Sequence, residues 1–274
     1  MNTRAQFKAL IDRPDTDVPL AEAALCIAAE TRPQVDVSLW MSTIEQIADR
    51  ISPHLELAAS PLERLHLLNE GLFIREGFVG NSEDYSNPEN SFLDSVLESR
   101  KGIPITLSII YMEVARRLGF NSFGIGFPGH FLVGVKLEQK TVVIDPFSQR
   151  ILEQSDCEKL LFKMAGQKVP FNPLMLSSTP TKEILQRVLR NLKMIYVAKK
   201  EYESALSCSD RILLLADEDL SELRDRGLLY RELECAGPAL KDLEQYISLS
   251  PPDPNIDALK KIVQELRDRV QAIH

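Results

Sequence analysis

The stretch Arg100-Lys101-Gly102-Ile103-Pro104-Ile105-Thr106-Leu107-Ser108 sets the architecture of this 274-residue chain. Proline fixes φ and lacks an N–H, so it suits the first position of a helix, where that N–H would have no partner anyway. The residues that follow form a strongly apolar helix as far as Leu118, and Gly119 is the expected stop. Three short strand-like runs come next, at 122–127, 131–137 and 141–145, with Gly, Pro, Gln and Lys as punctuation. A helix packed on a small antiparallel sheet is the simplest solution, with His130 and Asp145 brought onto neighbouring strands.

Working outward from this centre, residues 1–100 read as a helical region. Leu20, Ala23, Ala24, Ile27 and Ala28 recur at helical spacing, and so do Leu39, Trp40, Ile44, Ile47 and Ile51, with Pro53 expected to close that helix. Ser60-Pro61 is an N-cap followed by proline at the first helical position. It opens a third helix whose apolar face is Leu62, Leu65, Leu68, Leu72 and Phe73. The run from Gly80 to Asn90, rich in Asn, Ser, Asp and Pro, reads as a loop. Residues 101–165 form the core region, and 166–180, with Pro170, Pro173 and Pro180, a stiff Pro-rich connector.

Residues 181–274 are helical and repeat themselves. Tyr196 and Tyr230 lie 34 positions apart, and so do Ala205 and Ala239, Leu213 and Ile247, and Leu215 and Leu249. That period, with small and aromatic residues in register, is the signature of tetratricopeptide (TPR) units, here over about 183–216 and 217–250. Pro251-Pro252-Asp253-Pro254 ends the second unit, and an amphipathic helix over 256–273 caps the array.

Composition narrows the functions. With 44% hydrophobic and 26% charged residues the chain is an ordinary globular protein. Its net charge of -8 argues against nucleic acid or an anionic membrane as the main partner, since both call for a concentrated basic surface. Arg187, Arg190, Lys193, Lys199 and Lys200 cluster, but on a helical repeat they read as a solvated face. The N-terminus has no apolar signal segment and no apolar run is long enough to span a membrane, so a cytoplasmic location is expected. Cys26, Cys157, Cys208 and Cys235 are scattered. They form neither a disulfide framework nor a metal knuckle, and His54, His66 and His274 have no ligand spacing with His130. Neither metal nor cofactor is expected.

Several blocks carry a resemblance: Asn90-Ser91-Phe92-Leu93, Gly102-Ile103-Pro104-Ile105-Thr106-Leu107-Ser108, Pro128-Gly129-His130-Phe131-Leu132-Val133 and Ile144-Asp145-Pro146-Phe147. Together they resemble a bacterial family, of the enterobacterial Sir-regulon B-operon type, that joins a transglutaminase-like, papain-like core to a C-terminal TPR segment. The resemblance covers nearly the whole chain. It implies an α+β, mostly helical fold, with a small antiparallel sheet followed by TPR-like repeats.

In active members of the wider superfamily the central helix opens with Gly-x-Cys, and a His and an Asp complete the site. Gly102 matches the glycine, His130 and Asp145 match the pair, and Pro104 stands in the cysteine position. A thiolate at a helix N-terminus is stabilised by the backbone dipoles, and a neighbouring His takes its proton. Proline offers neither a nucleophile nor an N–H. Thr106 would project about 200° around the axis from position 104, and Ser108 lies one turn deeper, by about 6 Å. Both read as packing or hydrogen-bonding residues. His130 and Asp145 then read as a residual dyad that holds two strands in register. Asn90, Thr106, Ser108, Gly129, His130 and Asp145 are the expected surroundings of a cleft, with Tyr85 near its rim.

Two functions compete. One is a non-catalytic adaptor or regulatory protein, a pseudoenzyme that binds a protein or peptide through the repeats or the degenerate cleft. The alternative is a cysteine-independent amide or peptide hydrolase, or an acyl transferase, that uses His130 and Asp145.

Overall fold

The computed structural model describes residues 3–138, 140–250 and 256–272. Its N-terminal helices are α1 (Thr3–Ile11), α2 (Leu20–Thr31), α3 (Val37–Leu55) and α4 (Pro61–Glu70). Asp36 caps α3 by accepting from the N–H groups of Ser38 at 2.9 Å and Leu39 at 3.1 Å. A cap of this kind contributes about 1 kcal/mol. Pro53 does not end α3, which runs on to Leu55. A proline in the last turn removes one hydrogen bond without blocking the residues after it.

Ser60 caps α4 by accepting from Glu63 N–H, while the Glu63 carboxylate reaches back to Ala59 N–H at 2.7 Å. Beyond Glu70 the chain loosens into a π-helical turn over Gly71–Arg75. At Gly71 a β-carbon would stand 2.9 Å from Ile51, so glycine is what lets this turn approach α3.

Next come β1 (Val79–Gly80), α5 (Leu93–Ser99), β2 (Lys101–Gly102) and α6 (Pro104–Arg117). β1 and β2 pair in parallel, with Gly80 opposite Gly102. This short pairing, absent from the sequence-based expectation, ties the 80–92 loop to the start of α6. Pro104 stands at the first helical position, and Thr106 Oγ1 accepts from Ile103 N–H at 3.2 Å. Every residue of α6 from Pro104 to Met112 is buried. The helix packs against α2, α3 and α5 on one side and the sheet on the other.

The sheet is an antiparallel meander of β3 (Asn121–Ile125), β4 (Leu132–Lys136), β5 (Thr141–Asp145) and β6 (Arg150–Leu152). Its register pairs Val133 with Ile144 and Ile144 with Ile151. The three predicted strands are found within two residues of their expected ends. β6 and the helix after it, α7 (Gln154–Ala165), were not predicted. Cys157 and Leu161 of α7 close a core cluster with Ile125, Phe127, Leu132, Val143 and Leu152. The Pro-rich segment packs on the same cluster through Val169, Phe171, Met175 and Leu176. It is also bonded to the sheet, from Thr179 N–H to Gly124 O at 2.8 Å and from Gly126 N–H to Thr179 Oγ1 at 2.7 Å.

The remaining helices are α8 (Thr181–Ala198), α9 (Tyr202–Leu215), α10 (Leu220–Glu232), α11 (Ala236–Leu249) and α12 (Ile256–Ala272). From α9 onward each helix packs on the next, and Ala205 and Ala239, one 34-residue period apart, are fully buried. The turns after α8 and α10 each carry a left-handed non-glycine residue, Lys200 and Glu234, again 34 positions apart. The Pro251–Pro254 stop lies outside the described residues.

The chain divides into two compact units, 1–188 and 189–274. The architecture is α+β and mostly helical.

Candidate functional site

In the first unit, the start of α6, the turn before β4, the end of β5 and α7 surround a cleft of about 740 Å³. Pro104, Gly129, His130 and Asp145 line it, with Ser82 and Tyr85 from the 80–92 loop and Phe147 and Ser148 from the turn after β5. Arg150, Lys159, Lys163 and Met164 stand on the β6–α7 side.

His130 and Asp145 meet here. His130 Nε2 lies 3.0 Å from Asp145 Oδ1, with both side chains buried. A carboxylate only accepts, so Nε2 is the nitrogen that donates to Asp145, and Nδ1 faces away from that bond. Asp145 also organises the turn that follows it. Oδ1 accepts from Phe147 N–H at 3.0 Å and Oδ2 from the Ser148 hydroxyl at 2.7 Å. Burial pushes the Asp145 carboxyl up. The hydrogen bond and charge of His130, with the Ser148 and Phe147 bonds, outweigh that and hold it below the ordinary carboxylate range.

A folded-state pKa below the unfolded one stabilises the fold above the unfolded value, about 3.9, and that contribution is lost as pH falls through the folded value. Urea midpoints measured through the acid range should therefore fall less steeply below about pH 4 for Asp145→Asn than for the native chain. Equal acid sensitivity would remove Asp145 from the acid response.

The turn that presents His130 is clamped from behind. Arg187 donates to His130 O at 2.6 Å and to Phe127 O at 3.4 Å, and its guanidinium lies 5.4 Å from the Phe131 ring centre. Burial lowers the Arg187 pKa, opposed by the nearby Tyr85. Gly129 has φ +68, and a β-carbon there would also meet Met164 at 2.9 Å. Phe147 packs edge-on to His130, with centroids 6.0 Å apart, and Tyr85 edge-on to Phe147 at 6.1 Å. At Gly80 a β-carbon would lie 2.6 Å from the Phe147 ring, so this glycine admits the aromatic stack.

Asn90, Thr106 and Ser108 lie behind this wall rather than on it. The Asn90 amide donates to Asp84 O at 2.6 Å and accepts from Asn81 at 2.9 Å, while Asn90 O accepts from the Thr106 hydroxyl at 2.7 Å. These bonds hold the loop that carries Ser82 and Tyr85 onto the start of α6. The Ser108 hydroxyl is fully buried and has no hydrogen-bond partner among the described residues.

The sequence reading missed Arg150, Lys159, Lys163 and Met164, all from the elements it did not foresee. The basic cluster over 187–200 is a solvated face at Lys199 and Lys200 but not at Arg187, Arg190 and Lys193. Besides the Arg187 clamp, Arg190 pairs with Asp219 at 2.8 Å and Lys193 with Glu222 and Asp225. Lys199 and Lys200 are exposed.

No cysteine lines the cleft. Cys157 sits in the core cluster under the cleft, where burial pushes its thiol up to about 11, with Asp156 and Asp145 adding to the shift. Cys26 and Cys208 are buried and Cys235 is exposed, and none of the four cysteines is in a disulfide. No group of three or more metal-ligating side chains is found among the described residues. No described helix is long and apolar enough to cross a membrane.

A buried helix opening at a cleft, backed by a His–Asp pair carried on an antiparallel sheet, defines a transglutaminase-like core. Residues 39–190 match the family model described as the transglutaminase-like superfamily, and the chain belongs to that superfamily. Residues 192–264 match a tetratricopeptide repeat model. Among curated relatives, the UPF0162 protein of Xylella fastidiosa (strain Temecula1) is 35% identical over 94% of this chain and 93% of its own length. A UPF0162 protein of Pseudomonas aeruginosa is 33% identical over 84% of each chain. Protein SirB1 of Salmonella typhimurium is 25% identical over 98% of this chain and all of its own length. No solved structure matches.

Proposed function

We propose that this chain is a non-catalytic adaptor or regulatory protein that binds protein segments, with its transglutaminase-like cleft serving as a binding surface. The observation that carries the reading is Pro104, which lines the cleft beside His130 and Asp145 where a nucleophile would be needed. It supplies no reactive side chain, and it removes the backbone N–H that a helix start offers to a developing oxyanion. Thr106 is committed to Asn90 and Ile103, and Ser108 is not on the wall. The TPR match supports protein–protein interaction by the second unit, since such repeats present extended surfaces to peptide partners. Four cysteines without a disulfide, three of them buried, suit the reducing cytoplasm.

One observation favours the alternative of a cysteine-independent amide or peptide hydrolase or acyl transferase: the His130–Asp145 bond is intact at the cleft wall. The two readings separate on His130→Ala. In an adaptor this change lowers stability or partner binding and leaves amide turnover at background. In an enzyme it abolishes turnover while the protein stays folded. Mass spectrometry of peptides incubated with both forms, alongside thermal melts, gives the answer. Turnover that depends on His130, or a cysteine-directed probe that finds one low-pKa thiol in the first unit, would end the adaptor reading.

A further inference from the structure

The two walls of the cleft differ in chemistry. One is aromatic and apolar: Tyr85, Phe147 and Pro104 face it, with His130 edge-on to Phe147. Tyr85 is 50% exposed and Met164, on the rim, 38%, so large hydrophobic area stands uncovered at the mouth. The other wall carries the cations, Arg150 of β6 and Lys159 and Lys163 of α7, set among Leu152, Leu160 and Met164.

The carboxylates at hand do not neutralise that wall. Asp156 is shared between Arg150 at 3.7 Å and Lys159 at 3.6 Å, and it also accepts from Glu153 N–H. Lys163 has no acidic partner among the described residues. Asp145 is buried, with both oxygens committed to His130, Phe147 N–H and Ser148. In a chain of net charge -8 this is a local excess of positive charge beside an uncovered aromatic rim. Three cations on one wall suit a carboxylate side chain rather than a polyphosphate backbone, which calls for a continuous basic track.

We propose that the cleft binds a protein segment with an acidic side chain next to an apolar one, the acid on Lys159 and Lys163 and the apolar group against Tyr85 and Phe147. This deepens the adaptor reading and rests on the cleft being a place of binding.

The test uses the full chain and fluorescein-labelled short peptides that alternate Glu with Leu, Lys with Leu, or Glu with Ser, plus an oligothymidylate of equal charge. Fluorescence anisotropy should show the Glu–Leu peptide binding at least about tenfold more tightly than the others. Lys159→Glu with Lys163→Glu, both exposed and outside the core, should reverse the preference toward Lys–Leu. Tyr85→Ala should weaken both Leu-containing peptides and leave the charge preference in place. Added salt should erode the preference, because these charges face solvent.

Equal binding of Glu–Leu and Lys–Leu, equal binding of the oligonucleotide, no binding of any probe, or no response to the double reversal would each overturn the proposal. Those failures leave an adaptor that works through its repeats standing. A Glu–Leu preference whose peptide is recovered cut, with cutting lost in His130→Ala, would instead support the site and overturn the adaptor reading.

Discussion

Lys193→Met is expected to destabilise the C-terminal unit by about 3–5 kcal/mol, the usual cost of leaving one partner of a buried ion pair behind. Lys193 is only 8% exposed. Its Nζ donates to both Glu222 oxygens at 2.8 Å and to Asp225 at 2.9 Å. Glu222 is 2% exposed, and its Oε1 also accepts from the buried Ser209 hydroxyl. Without the ammonium, Asp225, on the partly exposed side, can turn to water, but Glu222 keeps a charge in the interior with one hydroxyl and no cation. Replacing both charges by apolar side chains, Lys193→Met with Glu222→Leu, should recover most of the loss, since the desolvation cost then disappears with the charges. Urea unfolding followed by circular dichroism measures both variants. A single-mutant cost below about 1 kcal/mol would class the pair with surface ion pairs and contradict its burial.

This network also marks the limit of what the sequence discloses. Lys193 and its neighbours on α8 look like a basic stripe because their partners lie 29 and 32 positions away. Only the fold brings Glu222 and Asp225 within reach of Lys193. The centre of the fold was legible for the opposite reason, because its signals are local. Pro104 starts α6, a mostly apolar run fills it, and Gly119 follows its last turn. His130 and Asp145 could be paired from a spacing that neighbouring antiparallel strands satisfy. The far wall of the cleft was not legible. β6 is three residues long, too short for an alternation, and α7 buries only Cys157 and Leu161, so its apolar stripe is thin. Asn90 carried a turn signal, but its task of fastening Tyr85's loop to α6 depends on bonds to Asp84, Asn81 and Thr106 that no periodicity encodes.

Pro104→Cys is expected to produce a thiol with a pKa well below the free value of about 8.5, within the range of about 3.5–7.5 seen for activated cysteines. Two features already in place would act on it. The start of α6 presents backbone dipoles that favour an anion. His130 shares the cleft wall with position 104, and its Nε2–H is committed to Asp145, which leaves only Nδ1 to take a proton. The fold should tolerate the change, since Pro104 is at the first helical position and gives up no intrahelical N–H bond there. Iodoacetamide should alkylate the new thiol at least about tenfold faster at pH 6 than the exposed Cys235, because a thiolate and not a thiol is the nucleophile. His130→Ala in the same background should move the midpoint of the alkylation profile upward and slow the reaction near neutral pH. If the new thiol instead titrated near the free value and reacted no faster than Cys235, His130 and the helix start would not act on position 104. The cleft would then differ from a cysteine site by more than the residue at position 104.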